Sequence, residues 1–378
     1  MPGPIKNKER VVKKTVLAVL IWAAAVSHAL AAGMTAHMYV AEEALGRVSD
    51  PELKSLLGSE KGAVLAGSIF PDTGNGLRAL GYPAKYNYGD LTHSSYFLET
   101  YLSYAQANCR KPFDDHCRLL IAHMMGVDAH HVEDRTYHTI FMESVERIDQ
   151  RHRDLDSLGD MILINSYHRA KVLPCYRVPY QDLNEIMQAM GEDVTEGRIR
   201  TGNQAHRAGL LGERLLALFQ RKAARELPWM AANMYSGPGG IDYSATALAR
   251  TWEALWLRLN GRGDEVKHVA AVFPEPGETA AATQDKIYIL FAQPMLAKSL
   301  AGWSFTVRDR EKRIVPGAVW NHGEDHGELT IYSAFAPWAP LAACASYTVH
   351  LSAEVLDLNG KPLPKEYSWS FQTSCPKP

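Results

Sequence analysis

Apolar positions along the first two thirds of the chain recur with the period of an α-helix. Within residues 35–57 they return every three or four positions and are interrupted at Ser49-Asp50-Pro51, a combination typical of one helix ending and another beginning. Strand-like alternation is almost absent before residue 265, so the pattern predicts an all-α first domain. Comparable runs predict further helices at 62–66, 95–104, 118–126, 137–148, 161–169, 180–190, 204–225 and 244–259.

The period of the pattern changes to two beyond residue 265. A polar, glycine-rich joint at 260–264 separates the two patterns. Six short runs in about 110 residues are typical of a small β-sandwich. These β-branched or aromatic runs are divided by Pro, Gly and Asn-Gly turns, and they predict strands at 286–291, 304–307, 318–320, 329–332, 347–351 and 367–371.

Composition is that of an ordinary globular protein. The 378 residues are 46% hydrophobic and 22% charged, with a formal net charge of -2, which predicts two or three domains. The near-neutral charge argues against a large surface that binds nucleic acid by neutralising phosphates. Fifteen histidines are a high count for this length, and their positions favour metal binding.

The first 31 residues are predicted to be a cleaved signal peptide. A basic segment, an apolar stretch at 15–26 and the small-x-small sequence Ala29-Leu30-Ala31 follow one another. The apolar stretch is shorter than the roughly 20 residues that span a bilayer. The mature protein is therefore expected to be secreted or periplasmic, where disulfides are stable.

Four of the five cysteines are predicted to form two local disulfides. Their spacing suggests the pairs Cys109–Cys117 and Cys344–Cys375, with Cys175 left unpaired. Spacing suggests this connectivity without proving it.

The candidate chemistry centres on residues 126–138, in which His130, Asp134 and His138 are four positions apart. On an α-helix this spacing places three side chains along one face. Imidazoles and carboxylates converging on one side are typical ligands of zinc or a similar divalent metal.

A second run with the same spacing follows at His152, Asp156 and Asp160. One such run recurs by chance, but two runs this close together indicate a site. Asp160 is interpreted either as a support for a ligand histidine or as an ordinary surface or capping carboxylate. Three neighbouring side chains lie off the ligand face and are predicted to be solvated or to support the ligands: Asp128, His131 and Glu133.

Three further donors, His37, Asp72 and His93, precede the two runs. Three zinc ions need about twelve ligand positions at four each, so bridging carboxylates, waters and one more donor must complete the set. Cleavage after Ala31 would supply that donor, because the free α-amino group and carbonyl of Ala32 can chelate a metal.

Five motifs occur in order along the helical region: Ala-Gly-Met-Thr-Ala-His at 32–37, Phe-Pro-Asp at 70–72, Thr-His-Ser-Ser-Tyr-Phe at 92–97, and the histidine-rich segments 126–138 and 152–160. As a set they resemble the zinc-dependent phospholipase C and single-strand nuclease superfamily. The resemblance covers roughly residues 32–250 and is closest to the catalytic domain of glycosylphosphatidylinositol-specific phospholipase D.

In that superfamily the mature amino terminus and matching His and Asp side chains hold three zinc ions in an all-α bundle. The resemblance implies a phosphodiesterase that cleaves phospholipid or glycosyl-phosphoinositide head groups with a metal-activated water. Asp72 or Asp134 is expected to bridge two metals or to orient that water. The implied ligands of three Zn²⁺ are Ala32, His37, Asp72, His93, His130, Asp134, His138, His152 and Asp156.

Two departures from the superfamily pattern refine this expectation. The gap of four between Asp134 and His138 follows the phospholipase D-like branch rather than bacterial phospholipases C. Thr73 stands after Asp72 where choline-preferring enzymes carry an aromatic side chain, which counts against phosphatidylcholine as the substrate.

Three segments carry a second resemblance: Phe-Pro-Glu-Pro-Gly at 273–277, Phe-Ala-Gln-Pro-Met at 291–295 and Tyr-Ser-Trp-Ser-Phe-Gln-Thr at 367–373. They resemble bacterial Ig-like modules over residues 268–375. The expected organisation is a signal peptide at 1–31, an all-α zinc-dependent catalytic domain at 32–262 and an Ig-like β-sandwich at 263–378. Such modules are usually spacers or adhesive units, and the loop cluster His322, Asp325 and His326 is interpreted as a solvated turn.

Two alternatives stay open. A single-strand nuclease of the same superfamily would need aromatic side chains that stack on bases beside the metals. A binding or adhesion protein would use the metal for structure alone. Peripheral contact with a membrane surface is a further expectation, whereas the oligomeric state is not predicted. The tyrosines that keep the nuclease alternative open are Tyr86, Tyr88, Tyr96 and Tyr137.

Overall fold

The computed structural model describes residues 33–167, 177–218, 222–321 and 328–375. Within these ranges a helical region is followed by a small region of β-strands, which confirms the predicted fold class. Several predicted features lie outside the described residues: the signal peptide, Ala32, Cys175, and the loop residues His322, Asp325 and His326.

The described part of the helical region contains fourteen α-helices. Some begin at aspartate caps: Asp50 accepts a hydrogen bond from Leu53 N at 2.9 Å, and Asp114 accepts one from Cys117 N at 2.8 Å. The helices are α1 Met34–Arg47, α2 Pro51–Ser59, α3 Lys61–Gly67, α4 Thr73–Ala79, α5 Gly89–Thr92, α6 Ser95–Asn108, α7 Asp115–Thr136, α8 Met142–Asp149, α9 Leu155–Ser166, α10 Tyr180–Ala189, α11 Glu196–Ala217, α12 Ala223–Glu226, α13 Pro228–Asn233 and α14 Ile241–Leu259.

Helix α7 is the centre of the helical region. It runs for 22 residues and packs against α1, α3, α6 and α14, and most of its side chains are buried. It crosses α3 with almost no space between the backbones: a Cβ atom placed on Gly126 would lie 2.7 Å from the Cα of Gly67. Glycine at both positions therefore allows the helix that carries His130 and Asp134 to approach α3.

A π-helix, Tyr137–Phe141, continues α7 and leads directly into α8. A π-helical turn holds more residues than an α-helical turn, so side chains within it leave the straight α-helical face. His138 lies in this segment. Its direction therefore differs from the one that its spacing from Asp134 predicts.

Two non-glycine residues with left-handed backbones separate α8 from α9. Gln150 has φ 54° and Asp154 has φ 57°. His152 lies between them, before the first residue of α9, Leu155. Side chains four apart share a face only within a helix, so the four-residue spacing of His152 and Asp156 is not a helical spacing here.

In the described part of the β region, seven strands form two antiparallel sheets of order β1-β2-β5-β4 and β3-β6-β7. Six of them cover the predicted strands, whereas β1 is not among the predictions. The strands are β1 Val269–Phe273, β2 Ile287–Leu296, β3 Phe305–Asp309, β4 Gly317–Asn321, β5 Leu329–Pro337, β6 Ser346–Leu351 and β7 Tyr367–Gln372.

Strand β2 of the first sheet is buried on both faces. Along β2, Ile289 and Phe291 pack into the core between the two sheets, whereas Tyr288 and Leu290 belong to the core of the helical region. Successive side chains of a strand point to opposite faces, which explains why β2 is apolar throughout. Helix α14 provides much of the covering surface.

Disulfides join Cys109 to Cys117 and Cys344 to Cys375, the two pairs that the cysteine spacing suggests. The first closes the connection between α6 and α7, and the second ties the segment before β6 to the segment after β7. None of the helices in the described ranges combines the length and the apolar character that crossing a membrane requires.

Candidate metal centre

Two histidines are oriented by backbone carbonyl groups. The Nδ1 of His93 lies 2.7 Å from the carbonyl oxygen of Gly89, and the Nδ1 of His130 lies 2.9 Å from that of Ser68. A carbonyl oxygen can only accept, so each Nδ1 carries a proton, and whenever the ring is neutral its lone pair is at Nε2. A hydrogen bond of this kind typically supports a metal-binding imidazole.

The two free nitrogens face one another. Nε2 of His93 and Nε2 of His130 are 2.9 Å apart. Two lone pairs at this distance repel unless a cation, either a proton or a metal ion, lies beside them. The arrangement therefore fits a metal that takes both imidazoles as ligands.

Two carboxylates complete the group around these imidazoles. Oδ2 of Asp134 lies 3.5 Å from Nε2 of His130 and 3.8 Å from Nε2 of His93. Oδ1 of Asp72 lies 3.5 Å from Nε2 of His93. The other oxygen of Asp134 lies 3.8 Å from Nε2 of His37, so its two oxygens are near different histidines. A carboxylate placed in this way can bridge two metal ions.

A second group of donors is buried beside the first. Glu133 is fully buried, and its Oε2 contacts Nδ1 of His37 and lies 3.3 Å from Nε2 of His138. These atoms have no hydrogen bond of acceptable geometry. Buried polar atoms without partners are costly, and a shared metal ligand would remove that cost. Asp156 supports the group, because its Oδ1 lies 2.8 Å from Nδ1 of His138.

Donor atoms from these residues form three overlapping groups, and within each group they all lie within 4.8 Å of one another. His37 and His130 each belong to two groups, and their rings stack with centroids 3.9 Å apart. The groups are His37 with Glu133, Asp134 and His138; His37 with Asp72 and His130; and His93 with His130 and Asp134.

The cluster has a buried floor and a partly exposed rim. The side chains of His37 and His130 are 1% exposed, whereas those of His93 and Asp134 are 29% and 21% exposed. A ligand from solvent can therefore reach the rim without moving the floor.

Charge within the cluster favours a bound cation. Burial opposes ionisation of Asp72, but His130 and His93 outweigh it and hold the pKa of Asp72 below its usual value. Burial also opposes a charge on His93, yet hydrogen bonding to Asp72 and the charge of Asp134 raise the pKa of His93 to about 9. The carboxylates thus stay ionised and attract a positive charge that a metal could supply.

Six of the nine ligands implied by the resemblance meet in this cluster. Asp156 is not in a donor group but is hydrogen-bonded to His138, and Ala32 lies outside the described residues. His152 is not brought to the cluster: its side chain is 74% exposed, and its nearest carboxylate is Glu146 at 3.7 Å. The left-handed backbone of Asp154 begins α9 after His152 and leaves that side chain in solvent. The six are His37, Asp72, His93, His130, Asp134 and His138.

Asp160 forms hydrogen bonds with the first backbone amides of α1. Its carboxylate accepts hydrogen bonds from Thr35 N at 3.1 Å and Ala36 N at 2.9 Å. The first amides of a helix lack partners within the helix, so Asp160 stabilises the start of α1, the helix that carries His37. Burial, with the nearby carboxylate of Glu213, raises the pKa of Asp160.

The sequence interpretation placed Glu133 off the ligand face, as a solvated residue or a support for the ligands, and the structure buries it against His37 and His138. Residue 133 is three positions beyond His130, and residues three apart are neighbours on a helix surface, so this signal was available. His206 on α11 was not considered. It is fully buried, neither ring nitrogen has a hydrogen-bond partner in the described structure, and it lies close enough to Asp72 to affect its charge.

The backbone before α1 reaches the same cluster. Gly33 has φ 61°, and a Cβ atom placed on it would lie 2.6 Å from Nε2 of His138. Only glycine fits there without displacing the imidazole. Residue 33, the neighbour of the predicted first mature residue, is therefore in contact with a candidate ligand.

Comparison with known families concerns the β-strand region. Residues 265–373 match the family model for the bacterial Ig-like domain. The predicted Ig-like identity of this region is therefore confirmed. No curated protein matches the chain.

Three solved structures of the surface-layer protein SbsC show limited similarity to the chain. Domains 1–6 have 11% identity and a TM-score of 0.24, with 74% of this chain and 46% of that chain covered. The N-terminal part has 14% identity and a TM-score of 0.25, with 74% and 80% covered. The S-layer protein rSbsC has 12% identity and a TM-score of 0.24, with 86% and 46% covered. The chain thus spans about half the length of two of these structures. At such TM-scores the similarity does not establish a shared fold.

The Ig-like domain contacts the segment that follows His138. The hydroxyl of Tyr288 donates a 2.6 Å hydrogen bond to Glu143 on α8, and Lys286 forms an ion pair with the same carboxylate. Arg147, one turn further along α8, pairs with Asp285 at 2.5 Å. The Ig-like domain thus helps to fix α8, the helix directly after the π-helix.

Proposed function

We propose that the helical region is a zinc-dependent phosphodiesterase that hydrolyses head-group phosphodiesters of phospholipids or glycosyl-phosphoinositides. The observation that carries this proposal is the close approach of Nε2 of His93 and Nε2 of His130 beside the carboxylate of Asp134. Both imidazoles are oriented by carbonyl groups, and the approach needs a cation, which is a proton on His93 in the free protein and would be zinc in the loaded one.

The three overlapping donor groups support a centre with three zinc ions. Asp134 belongs to two of the groups and is the candidate bridging carboxylate, whereas Asp72 belongs to one. Glu133, which is not among the ligands implied by the resemblance, would be a zinc ligand together with His37, Asp134 and His138. The residues that would hold zinc are His37, Asp72, His93, His130, Glu133, Asp134 and His138, with Asp156 supporting His138.

Bound zinc would neutralise the anionic phosphodiester and lower the pKa of a water molecule, which makes it a nucleophile near neutral pH. The protein contributes position and charge. Asp72 and Asp134 stay ionised because neighbouring histidines lower the pKa of each carboxyl against the effect of burial. The exposed edges of His93 and Asp134 define the side from which the phosphodiester approaches.

Two of the four tyrosines considered for base stacking are unavailable for it. Tyr88 and Tyr137 are buried: Tyr88 is bonded to Thr73 at 2.9 Å, and Tyr137 is stacked on Phe141. Neither is free to stack on a base. Tyr96 is 50% exposed, and Tyr86 is partly buried with the guanidinium of Arg198 3.8 Å from its ring centre.

The proposal includes secretion and amino-terminal processing. Two disulfides suit a compartment outside the reducing cytosol. Gly33 lies against His138, so removal of the signal peptide after Ala31 would leave the new α-amino group one residue from a candidate ligand.

The test is metal content and turnover of the secreted, processed protein. We expect near three zinc per chain by mass spectrometry, with hydrolysis of phosphatidylinositol vesicles and of a soluble chromogenic phosphodiester. A variant that retains one extra residue before Ala32 should lose about one zinc and most of the turnover. Single-stranded DNA is included as a competing substrate.

Each outcome separates the alternatives. Turnover of DNA without turnover of lipid would replace the lipid enzyme with a nuclease. One zinc or none, with no turnover of any ester, would exclude the enzyme and leave a binding or adhesion protein. A chelator should abolish turnover, and added zinc should restore it.

A further inference from the structure

Helix α11 carries a buried histidine that belongs to none of the three donor groups. His206 is fully buried, and neither of its ring nitrogens has a hydrogen-bond partner among the described residues. A buried imidazole in this state is costly, because it has lost its hydrogen bonds to water without replacing them. A ligand from outside the chain, such as a metal ion or a trapped water, would remove that cost.

The face of α11 that carries His206 packs beside the segment that holds Asp72. Gly202, His206 and Glu213 share this face, because they are four and seven positions apart on one helix. A Cβ atom placed on Gly202 would lie 2.5 Å from the carbonyl oxygen of Thr73, the residue after Asp72. The backbone of α11 is therefore in close contact with this segment one turn before His206.

The same face reaches the segment that holds His37. Seven positions beyond His206, the carboxylate of Glu213 accepts a 2.9 Å hydrogen bond from the hydroxyl of Thr35. Thr35 precedes His37 by two residues on α1. His206 thus lies between the contact that α11 makes beside Asp72 and the contact that it makes beside His37.

The electrostatics of the ring agree with this location. The charges of Asp72 and His37 both act on His206, and His206 in turn acts on Asp72. Burial is the largest effect and lowers the pKa of His206 to about 4, so the ring is neutral near pH 7. A neutral imidazole offers one nitrogen lone pair, which is the form that binds a metal.

The donor group beside His206 is one donor short of a closed zinc site. It consists of His37, Asp72 and His130, all of them buried, whereas a closed zinc site has four ligands. The group at the rim, which contains the partly exposed His93, can complete its set with water from solvent. A fourth donor for the buried group has to come from the protein or from a trapped water.

We propose that His206 is a further zinc ligand and completes the buried group of His37, Asp72 and His130. His206 lies outside that group in the structure, so its ring has to turn toward Asp72 when zinc binds. No hydrogen bond to the described residues holds the ring in its present orientation, so the turn breaks none.

The proposal rests on the zinc centre of the proposed phosphodiesterase and divides the work within it. A zinc ion with four protein ligands has no open position for a substrate, so the ion beside His206 would be structural. The phosphodiester would then bind at the rim group, where an open position remains.

The test replaces His206 with leucine, which has a similar volume and no atom that binds metal. We expect His206→Leu to contain about one zinc fewer per chain by mass spectrometry. Competition with a chelator should show an affinity for that ion lowered by more than about a hundredfold, because changing a residue that only supports a ligand already costs about 10- to 100-fold.

Two further measurements separate a zinc ligand from a histidine that a trapped water satisfies. Without zinc, His206→Leu should resist urea at least as well as wild type, because the change removes a buried polar group that has no partner. In wild type, the ring nitrogen signals of His206 in NMR spectra should shift when zinc is added. The second measurement still decides if His206→Leu fails to fold, with His206→Gln used to assign the signals.

His123→Leu is the matched control. His123 is also a fully buried histidine of the helical region, but it has a hydrogen bond with Tyr101. We expect His123→Leu to keep the zinc content of wild type and to be less resistant to urea, which is the reverse of the result expected for His206→Leu.

Wild-type zinc content and affinity in a folded His206→Leu, or ring signals that do not respond to zinc, would overturn the proposal and leave the phosphodiesterase intact. Absent turnover of a soluble phosphodiester by wild type, with the loss of one zinc in His206→Leu still observed, would reject the phosphodiesterase but retain His206 as a ligand. A wild type that binds no zinc would overturn both.

Discussion

The hydroxyl of Tyr288 in the Ig-like domain donates a 2.6 Å hydrogen bond to Glu143 on α8, across 145 positions of sequence. Tyr288 is buried, and Glu143 also pairs with Lys286. This contact holds α8, the helix that follows the π-helix of His138, against the first sheet of the Ig-like domain. The two regions are therefore expected to stabilise one another.

Replacing Tyr288 with Phe tests this contact. We expect the free energy of unfolding to fall by about 1–2 kcal/mol, because a buried hydrogen bond to a charged acceptor is lost. Urea denaturation of Tyr288→Phe, Glu143→Gln and the double variant gives the coupling between the two side chains. Independent effects in this cycle would contradict the contact.

The resemblance implies that His152 is a zinc ligand, whereas the structure places its side chain outside the cluster. His152→Ala should retain the zinc content and turnover of wild type, because its side chain is exposed and outside the cluster. His93→Ala should lose about one zinc, because it removes a ligand from a group of three donors. Mass spectrometry on both variants decides, and loss of zinc in His152→Ala would restore it to the ligand set.

The crossing of α3 and α7 gives a stability prediction. Gly126→Ala would push a methyl group to 2.7 Å from the backbone of Gly67, so we expect a loss of about 3 kcal/mol or more. Gly58→Ala on α2 is the matched control. No atom lies within 4 Å of the added methyl group, and the change should stabilise by about 0.5–1 kcal/mol. Similar effects at both positions would contradict the close crossing.

His123 gives a pH prediction. Burial lowers the pKa of His123 from 6.5 to about 3, with Tyr101 as its 3.2 Å hydrogen-bond partner. Below about pH 6.5, His123 binds a proton in the unfolded chain but stays neutral in the folded chain. Its contribution to the free energy of unfolding is therefore fully present above that pH and is lost as the pH falls. The slope is about 1.4 kcal/mol per pH unit between about pH 6 and pH 4.

The measurement compares urea unfolding of wild type and His123→Gln from pH 4 to pH 7. Other groups titrate equally in both proteins, so the difference isolates His123. Wild type should lose stability more steeply as the pH falls. Parallel curves would mean that His123 accepts a proton in the folded state.

Local patterns in the sequence determined the classes of structure. A helical period before residue 265 and alternation after it follow from which faces each element must bury, and each is visible within ten or twenty residues. The same reasoning identified imidazole and carboxylate donors, since helical spacing places His130 and Asp134 on one face without knowledge of the rest of the fold.

Tertiary structure decided which donors meet. Glu133 joins His37 and His138 because α1 packs against α7, a contact that no local pattern contains. His152 stays in solvent because Gln150 and Asp154 adopt left-handed backbones, which ordinary sequence signals assign to glycine. The sequence determined the kinds of element and the donors available, because these depend on neighbours along the chain. The packing of distant helices selected the members of the cluster, because distances between side chains depend on the whole fold.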